Sequence, residues 1–222
     1  MSEHAYWHER WREHRIGFHR PVVHEALLRF WPTLVQADAR VLVPLSGKSR
    51  DLVWLESRGH EVVAAELVEQ AVVDFHREHT RPIEVTDCPP FRIYRSRAIT
   101  TFCGDFFALD PAHTSAVTAI YDRAALIALP PARRVEYARQ LLRWWAPGLS
   151  AVLVTCEYPQ ELRAGPPYSV EAAEVHAHFG GHFHIELLHS TDLLAADPDH
   201  YREFKLPHMR EQIYGLRAPT TP

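Results

Sequence analysis

The most constraining feature of this chain is a pair of short, nearly unbroken apolar runs, RVLVPL at 40–45 and EVVAAE at 61–66, separated by one helix-length segment. A strand that shows no alternation is covered on both faces, and two such strands joined through a helix form a parallel βαβ unit. Gly59 stops the intervening helix, placed at about 50–58. The alternation continues with a helix over about 68–79 and two β-rich runs, FRIYRSR and AITTFCGDFF, read as an irregular hairpin leading into a strand. It runs on through strands at 116–122 and 150–158, with a helix over 132–146 between them, and ends with strands near 182–190 and 210–217. This pattern predicts an α/β fold: a mostly parallel, twisted sheet of about seven strands with helices on both faces.

Upstream of the first strand, Trp7, Trp11 and Arg15 recur at i, i+4 and i+8 and so place both indoles on one helical face. Residues 22–35 also show helical spacing, with Pro32 ending or kinking the helix. The Pro- and Gly-rich stretch 158–169 reads as a functional loop, expected to act as a lid. No linker or repeat interrupts the 222 residues, so one domain over 1–222 is expected, with 1–36 as an N-terminal helical lid region.

Composition narrows the function. A formal charge of −4 gives no basic field for nucleic acid or an anionic bilayer. The three cysteines (Cys88, Cys103 and Cys156) form no CxxC pair, no apolar leader opens the sequence, and no apolar run reaches membrane-spanning length. A cytoplasmic, monomeric protein with a small-molecule partner is expected, with neither nucleic acid nor membrane as partner. The HxH pairs His176/His178 and His182/His184 invite a metal reading, but i and i+2 diverge on a helix and no acid completes a triad, so none is assigned. The GKS string lacks the earlier glycine of a P-loop, since Leu42 stands there.

In an open α/β sheet, ligands bind beyond the carboxyl ends of the strands. Gly47 opens a turn where backbone N–H groups can approach a ligand, and Glu66 ends the second strand 19 residues on, where a carboxylate can accept from both ribose hydroxyls. One glycine is no pyrophosphate cradle, so the pairing suits a nucleoside without phosphates. Asp122 and Arg123 follow a buried strand, either as a structural ion pair or with the arginine turned to a substrate.

WHERWREHRIGFH at 7–19, the segment 41–67 containing PLSGKS, FCGDFFAL at 102–109, YDRAALIALPP at 121–131 and GPPYSV at 165–170 together resemble the thiopurine S-methyltransferase family of class I S-adenosylmethionine-dependent methyltransferases. The resemblance implies the Rossmann-like class I methyltransferase fold, S-adenosyl-L-methionine as cofactor and S-adenosyl-L-homocysteine as product. It implies that Trp7 and Trp11 cover the methionine part, Leu45 and Gly47 line the cofactor loop, Glu66 holds the ribose, and Asp105 and Phe106 flank adenine. Arg123 would face the cofactor carboxylate region and the substrate, oriented by Asp122, and Phe18, Pro166 and Pro167 would form the substrate pocket. Ser46 stands where the family usually has cysteine. The function so implied is methyl transfer to the thiol or thiolate of thiopurines and related aromatic or heterocyclic thiols. Two alternatives stand beside it: a broader methyltransferase for halide, simple thiols or selenium and tellurium metabolites, and a non-catalytic protein that binds the nucleoside.

Overall fold

The computed structural model describes residues 2–220, which fall into two compact units divided between Ile120 and Tyr121. Among the described residues there are nine strands: β1 (Arg40–Val43), β2 (Glu61–Glu66), β3 (Glu84–Cys88), β4 (Phe91–Ser96), β5 (Ile99–Cys103), β6 (Ala119–Arg123), β7 (Ser150–Glu157), β8 (His184–Asp192) and β9 (Arg210–Arg217). The α/β reading holds, but nine strands replace the expected seven or so.

In the first unit the strands run in the order β3-β4-β5-β2-β1-β6. β1 pairs in parallel with β2 and with the start of β6, and β2 pairs in parallel with β5. These are the unalternating apolar runs. Val41, Leu42, Ala64 and Ala65 are each at or below 1% exposure, as strands covered on both faces require. β4 and β3 then turn antiparallel. All five residues of β3 are exposed, so the strand carries no burial pattern for a sequence reading to detect, and it lies within the Pro-rich passage. In the second unit β9 lies between β7 and β8 and pairs antiparallel with both, and the central six residues of β7 are buried.

The helix expected over 22–35 is two short ones, Glu25–Arg29 and Trp31–Leu34. Pro32 sits in the first turn of the second, where its missing N–H costs nothing. The helix Glu69–Glu78 starts three residues after β2 and buries Ala71, Val72 and Phe75, a stripe at helical spacing. The helix Pro131–Leu142 is shorter than the span 132–146, and Trp144, just beyond it, is still buried.

Candidate active site

Glu66 is the last residue of β2 and its side chain is buried. Oε2 accepts from the Gly47 N–H at 2.7 Å and Oε1 from the Val68 N–H at 2.8 Å. Burial pushes the carboxyl above its usual range, while the amides of Val68, Gly47 and Leu67 pull the other way. Each carboxylate oxygen has two lone pairs, so each keeps acceptor capacity after its one backbone bond.

The loop that delivers the Gly47 amide is bent by two left-handed residues, Leu45 (φ 45°) and Gly47 (φ 56°). At Gly47 a Cβ would meet the Trp11 ring at 3.5 Å, an ordinary contact, so conformation and not space favours glycine there. Leu45 has no such freedom, and a non-glycine residue held in this region is strained. Lys48 is turned away into an ion pair with Glu78 at 2.6 Å, so the GKS lysine serves as a structural tie. Ser46 is buried and its N–H donates to the Ala65 carbonyl, fixing the loop to the end of β2.

Over this loop lies the helix Glu3–Arg12. Trp11 is 3% exposed and packs with Val68 and Ala71, joined by Trp7, Ile16, Phe18 and Leu67. Phe18 meets Trp7 edge to face at 5.6 Å and Trp11 at 5.8 Å, so the indole stripe read from the sequence is covered by the start of the helix that follows Glu66. Asp105 caps the short turn Phe106–Ala108 through Phe107 N–H at 2.9 Å, and its other oxygen lies 3.5 Å from His4 Nε2 on the N-terminal helix. The Phe106 ring is buried in protein, so it presents no open face.

In the second unit, Asp122 is buried near the end of β6. It accepts from the Leu126 N–H at 3.2 Å and the Tyr137 hydroxyl at 2.8 Å, and burial pushes its pKa up to about 6. The expected orienting bond from Asp122 to Arg123 is not among these contacts: the carboxylate ties the turn after β6 to the helix Pro131–Leu142. Arg123 is half-buried and has no hydrogen-bond or ion-pair partner among the described residues, which leaves its guanidinium available. Pro166 and Pro167 are half-buried in a loop whose Gly165 has φ 73° and sits so close to the Tyr168 ring that a Cβ would lie 2.6 Å from it. That loop contains a short 3-10 turn, Gln160–Leu162, and is braced by internal hydrogen bonds, unlike the lid expected of it.

The sequence reading missed three participants: the Val68 amide, Tyr137 and His4. The first is a backbone group that no side-chain identity reveals. Tyr137 meets Asp122 across 15 residues with no spacing rule to link them, and His4 meets Asp105 only because the N-terminal helix folds back. Among the described residues no group of three or more His, Cys, Asp or Glu side chains is arranged to hold a metal ion, and His178 lies 3.2 Å from Glu174. Among the described residues no helix is long and apolar enough to cross a membrane.

Comparison with known proteins fits this arrangement. A family model described as thiopurine S-methyltransferase matches residues 2–218. Thiopurine S-methyltransferases of Pseudomonas fluorescens are 43% identical over 214 residues in strain Pf0-1 and 46% over 215 in strain SBW25, each alignment covering 96% of this chain and 98% of the relative. In three dimensions the chain is similar to the Burkholderia thailandensis 1,6-didemethyltoxoflavin-N1-methyltransferase, solved with bound 1,6-didemethyltoxoflavin and S-adenosylhomocysteine. The TM-score is 0.65 at 15% identity, over 97% of this chain and 87% of that one. It is also similar to a SAM-dependent methyltransferase of Methanosarcina mazei, with a TM-score of 0.62 at 13% identity, over 86% and 98% of the two chains. At these identities the structural likeness speaks for the fold.

Proposed function

Because this chain belongs to the thiopurine S-methyltransferase family, we propose that it transfers the methyl group of S-adenosyl-L-methionine to the sulfur of a thiopurine or a related aromatic or heterocyclic thiol. The observation that carries the cofactor half is Glu66: a buried carboxylate at a strand end, held by two backbone amides, with acceptor capacity left on both oxygens. That donor-hungry chemistry fits a ribose diol. The fit extends to a sulfonium, since the half-buried Trp7 and Phe18 rings offer aromatic surface beside the same loop, with the buried Trp11 ring packed behind them. Leu45 and Gly47 line the nucleoside from the loop, and Asp105 meets the adenine end. Phe106, whose ring is buried, supports the turn that carries Asp105.

The cofactor supplies an electrophilic methyl carbon; the protein's own work is alignment. With the cofactor bound, transfer would join the acceptor thiolate sulfur to that carbon while the sulfonium gave up its bond to it, leaving two neutral thioethers. Opposite charges vanish together, so no general base is required once the thiol has given its proton to solvent. Holding the reacting atoms in line draws on the roughly 7–11 kcal/mol available from positioning. Arg123 has the free guanidinium to favour the acceptor anion and to hydrogen-bond its ring nitrogens. Asp122 supports that strand end through Tyr137 and Leu126 and does not grip the arginine. Phe18, Pro166 and Pro167 supply acceptor-facing surface, and the chain works as one methyltransferase domain in the cytoplasm, as a monomer.

Incubation with methyl-labelled S-adenosylmethionine and 6-mercaptopurine should give labelled S-methyl product. Calorimetric binding of the cofactor with no transfer to any thiol in a panel would overturn the catalytic reading and leave a nucleoside-binding protein.

A further inference from the structure

The stretch 158–170 follows β7, and its GPP turn has few N–H groups to offer, a composition that ordinarily gives a mobile surface loop. In this protein its polar groups are spent on one another and on the unit beneath. The Tyr158 N–H donates to Ser169 Oγ at 3.0 Å and the Ser169 N–H to Gln160 Oε1 at 2.8 Å. The Tyr168 N–H reaches the Ile127 carbonyl at 2.7 Å, and the Val170 N–H the Cys156 carbonyl at 2.8 Å. The Tyr158 hydroxyl donates to the carbonyl of Pro167 itself.

Beneath this network stands one charge. Arg134, on the helix Pro131–Leu142, is only 2% exposed. Its Nη1 donates to the Ser169 carbonyl at 2.7 Å, and its Nε lies 3.1 Å from Glu174 Oε1, an ion-pair distance although the N–H does not point along it. Burying a guanidinium is expensive unless its partners are well placed, and a well-packed apolar side chain serves stability as well or better. A buried cation that donates to one loop carbonyl, with a helix carboxylate at ion-pair distance to balance its charge, gains something else: it holds that carbonyl, and so the loop, in place.

We infer that Arg134 is a positioning residue for the methyl acceptor, assisted by Gln160. By anchoring Ser169 it sets where Pro166 and Pro167 stand, and so selects acceptors by the shape of their ring, without touching acceptor or cofactor. This rests on the reading above that Pro166 and Pro167 line the acceptor pocket. On the same loop the Arg163 guanidinium stacks over the Phe204 ring at 3.7 Å, a contact that substitution of Arg134 or Gln160 leaves in place.

The test compares Arg134→Lys, Gln160→Ala and Pro167→Gly with wild type, each checked for native circular dichroism. Acceptor KM is measured for 6-mercaptopurine and thiophenol, and S-adenosylmethionine Kd by calorimetry. Lysine keeps the charge but not the fork. The expected result for Arg134→Lys is a rise of about tenfold in KM for the bicyclic thiol and a smaller rise for thiophenol, with cofactor Kd within about twofold of wild type; Gln160→Ala moves the same way by less. A merely structural arginine would lower the melting temperature without changing the ratio of the two acceptors. Unchanged acceptor KM and ratio in Gln160→Ala and in Arg134→Lys would overturn the inference, as would a cofactor Kd that rises by the same factor. Should Arg134→Lys fail to fold, Gln160→Ala alone decides by the same criteria. Pro167→Gly separates the two layers: if it raises acceptor KM while the tether variants do not, the bracing role falls and the pocket reading stands. If Pro167→Gly leaves KM flat, the pocket reading falls and the bracing role with it.

Discussion

Glu66 and Asp122 end neighbouring stages of the same chain pattern, one in each unit. Both are acids at the carboxyl end of a buried strand, both are almost wholly buried, and burial raises the pKa of both. Their partners differ. Glu66 accepts only backbone N–H groups, from a left-handed loop and from the residue just before a helix. Asp122 accepts a turn amide and a tyrosine hydroxyl that is itself fully buried. A carboxylate satisfied by its own framework can still receive a ligand, whereas one tied to a buried side chain works as a structural clamp. The roles proposed for the two acids therefore rest on their partners and not on the acids themselves.

The sharpest way to break this contrast is Glu66→Ala. Hydrogen bonds to a charged acceptor contribute about 1.5–3 kcal/mol each, so loss of a bidentate ribose grip should weaken S-adenosylmethionine binding by roughly a hundredfold or more in calorimetry. An equal loss in Asp122→Asn would erase the distinction. Next comes Arg123→Ala, expected to lower kcat/KM for 6-mercaptopurine by about a hundredfold while cofactor Kd stays near wild type. Unchanged turnover would remove Arg123 from the acceptor site.

Asp122→Ala should act on stability instead. It strands the Tyr137 hydroxyl and the Leu126 amide, at about 1–3 kcal/mol for each buried group left unpaired, and lowers the urea midpoint while folded protein binds cofactor normally.

The units should also answer acid in opposite directions. Asp122 is raised from 3.8 to about 6 in the fold, chiefly by burial, so the folded state holds its proton more tightly than the unfolded chain does. Its contribution is complete below about pH 4 and is lost as pH rises through about 6. In the first unit His76 is buried with both ring nitrogens unpartnered, and burial, with Arg81 and His79 nearby, lowers it from 6.5 to about 4. Stability from His76 is present above pH 6.5 and is lost as pH falls through about 4. Hydrogen exchange followed from pH 7 to 4 should therefore show the helix Glu69–Glu78 loosening as the turn after Asp122 tightens, and Asp122→Asn should flatten only the second slope. Tyr137→Phe is the smallest change, about 1 kcal/mol, because it removes a donor and leaves Asp122 its turn amide and a readily protonated carboxyl.

The apolar runs at β1, β2 and β7 and the helix Glu69–Glu78 were legible because burial on both faces, or along one stripe, leaves its period in the sequence. Glu66 and Gly47 were legible for a related reason: a strand end and a turn glycine are local features. β3 was not, since an exposed strand has no apolar side to write, and Pro32 was seen as a breaker without showing that helix resumes after it.

Local order in the chain thus determined the α/β class, the strand-end acid, the turn glycine and the aromatic stripe of the N-terminal helix. Only the tertiary structure decided that Asp122 belongs to Tyr137 and not to its neighbour Arg123, and that the proline loop is braced from below by Arg134. The physical reason is that hydrogen bonds between side chains distant in sequence depend on where whole helices and strands come to rest, and no period or spacing along the chain records that.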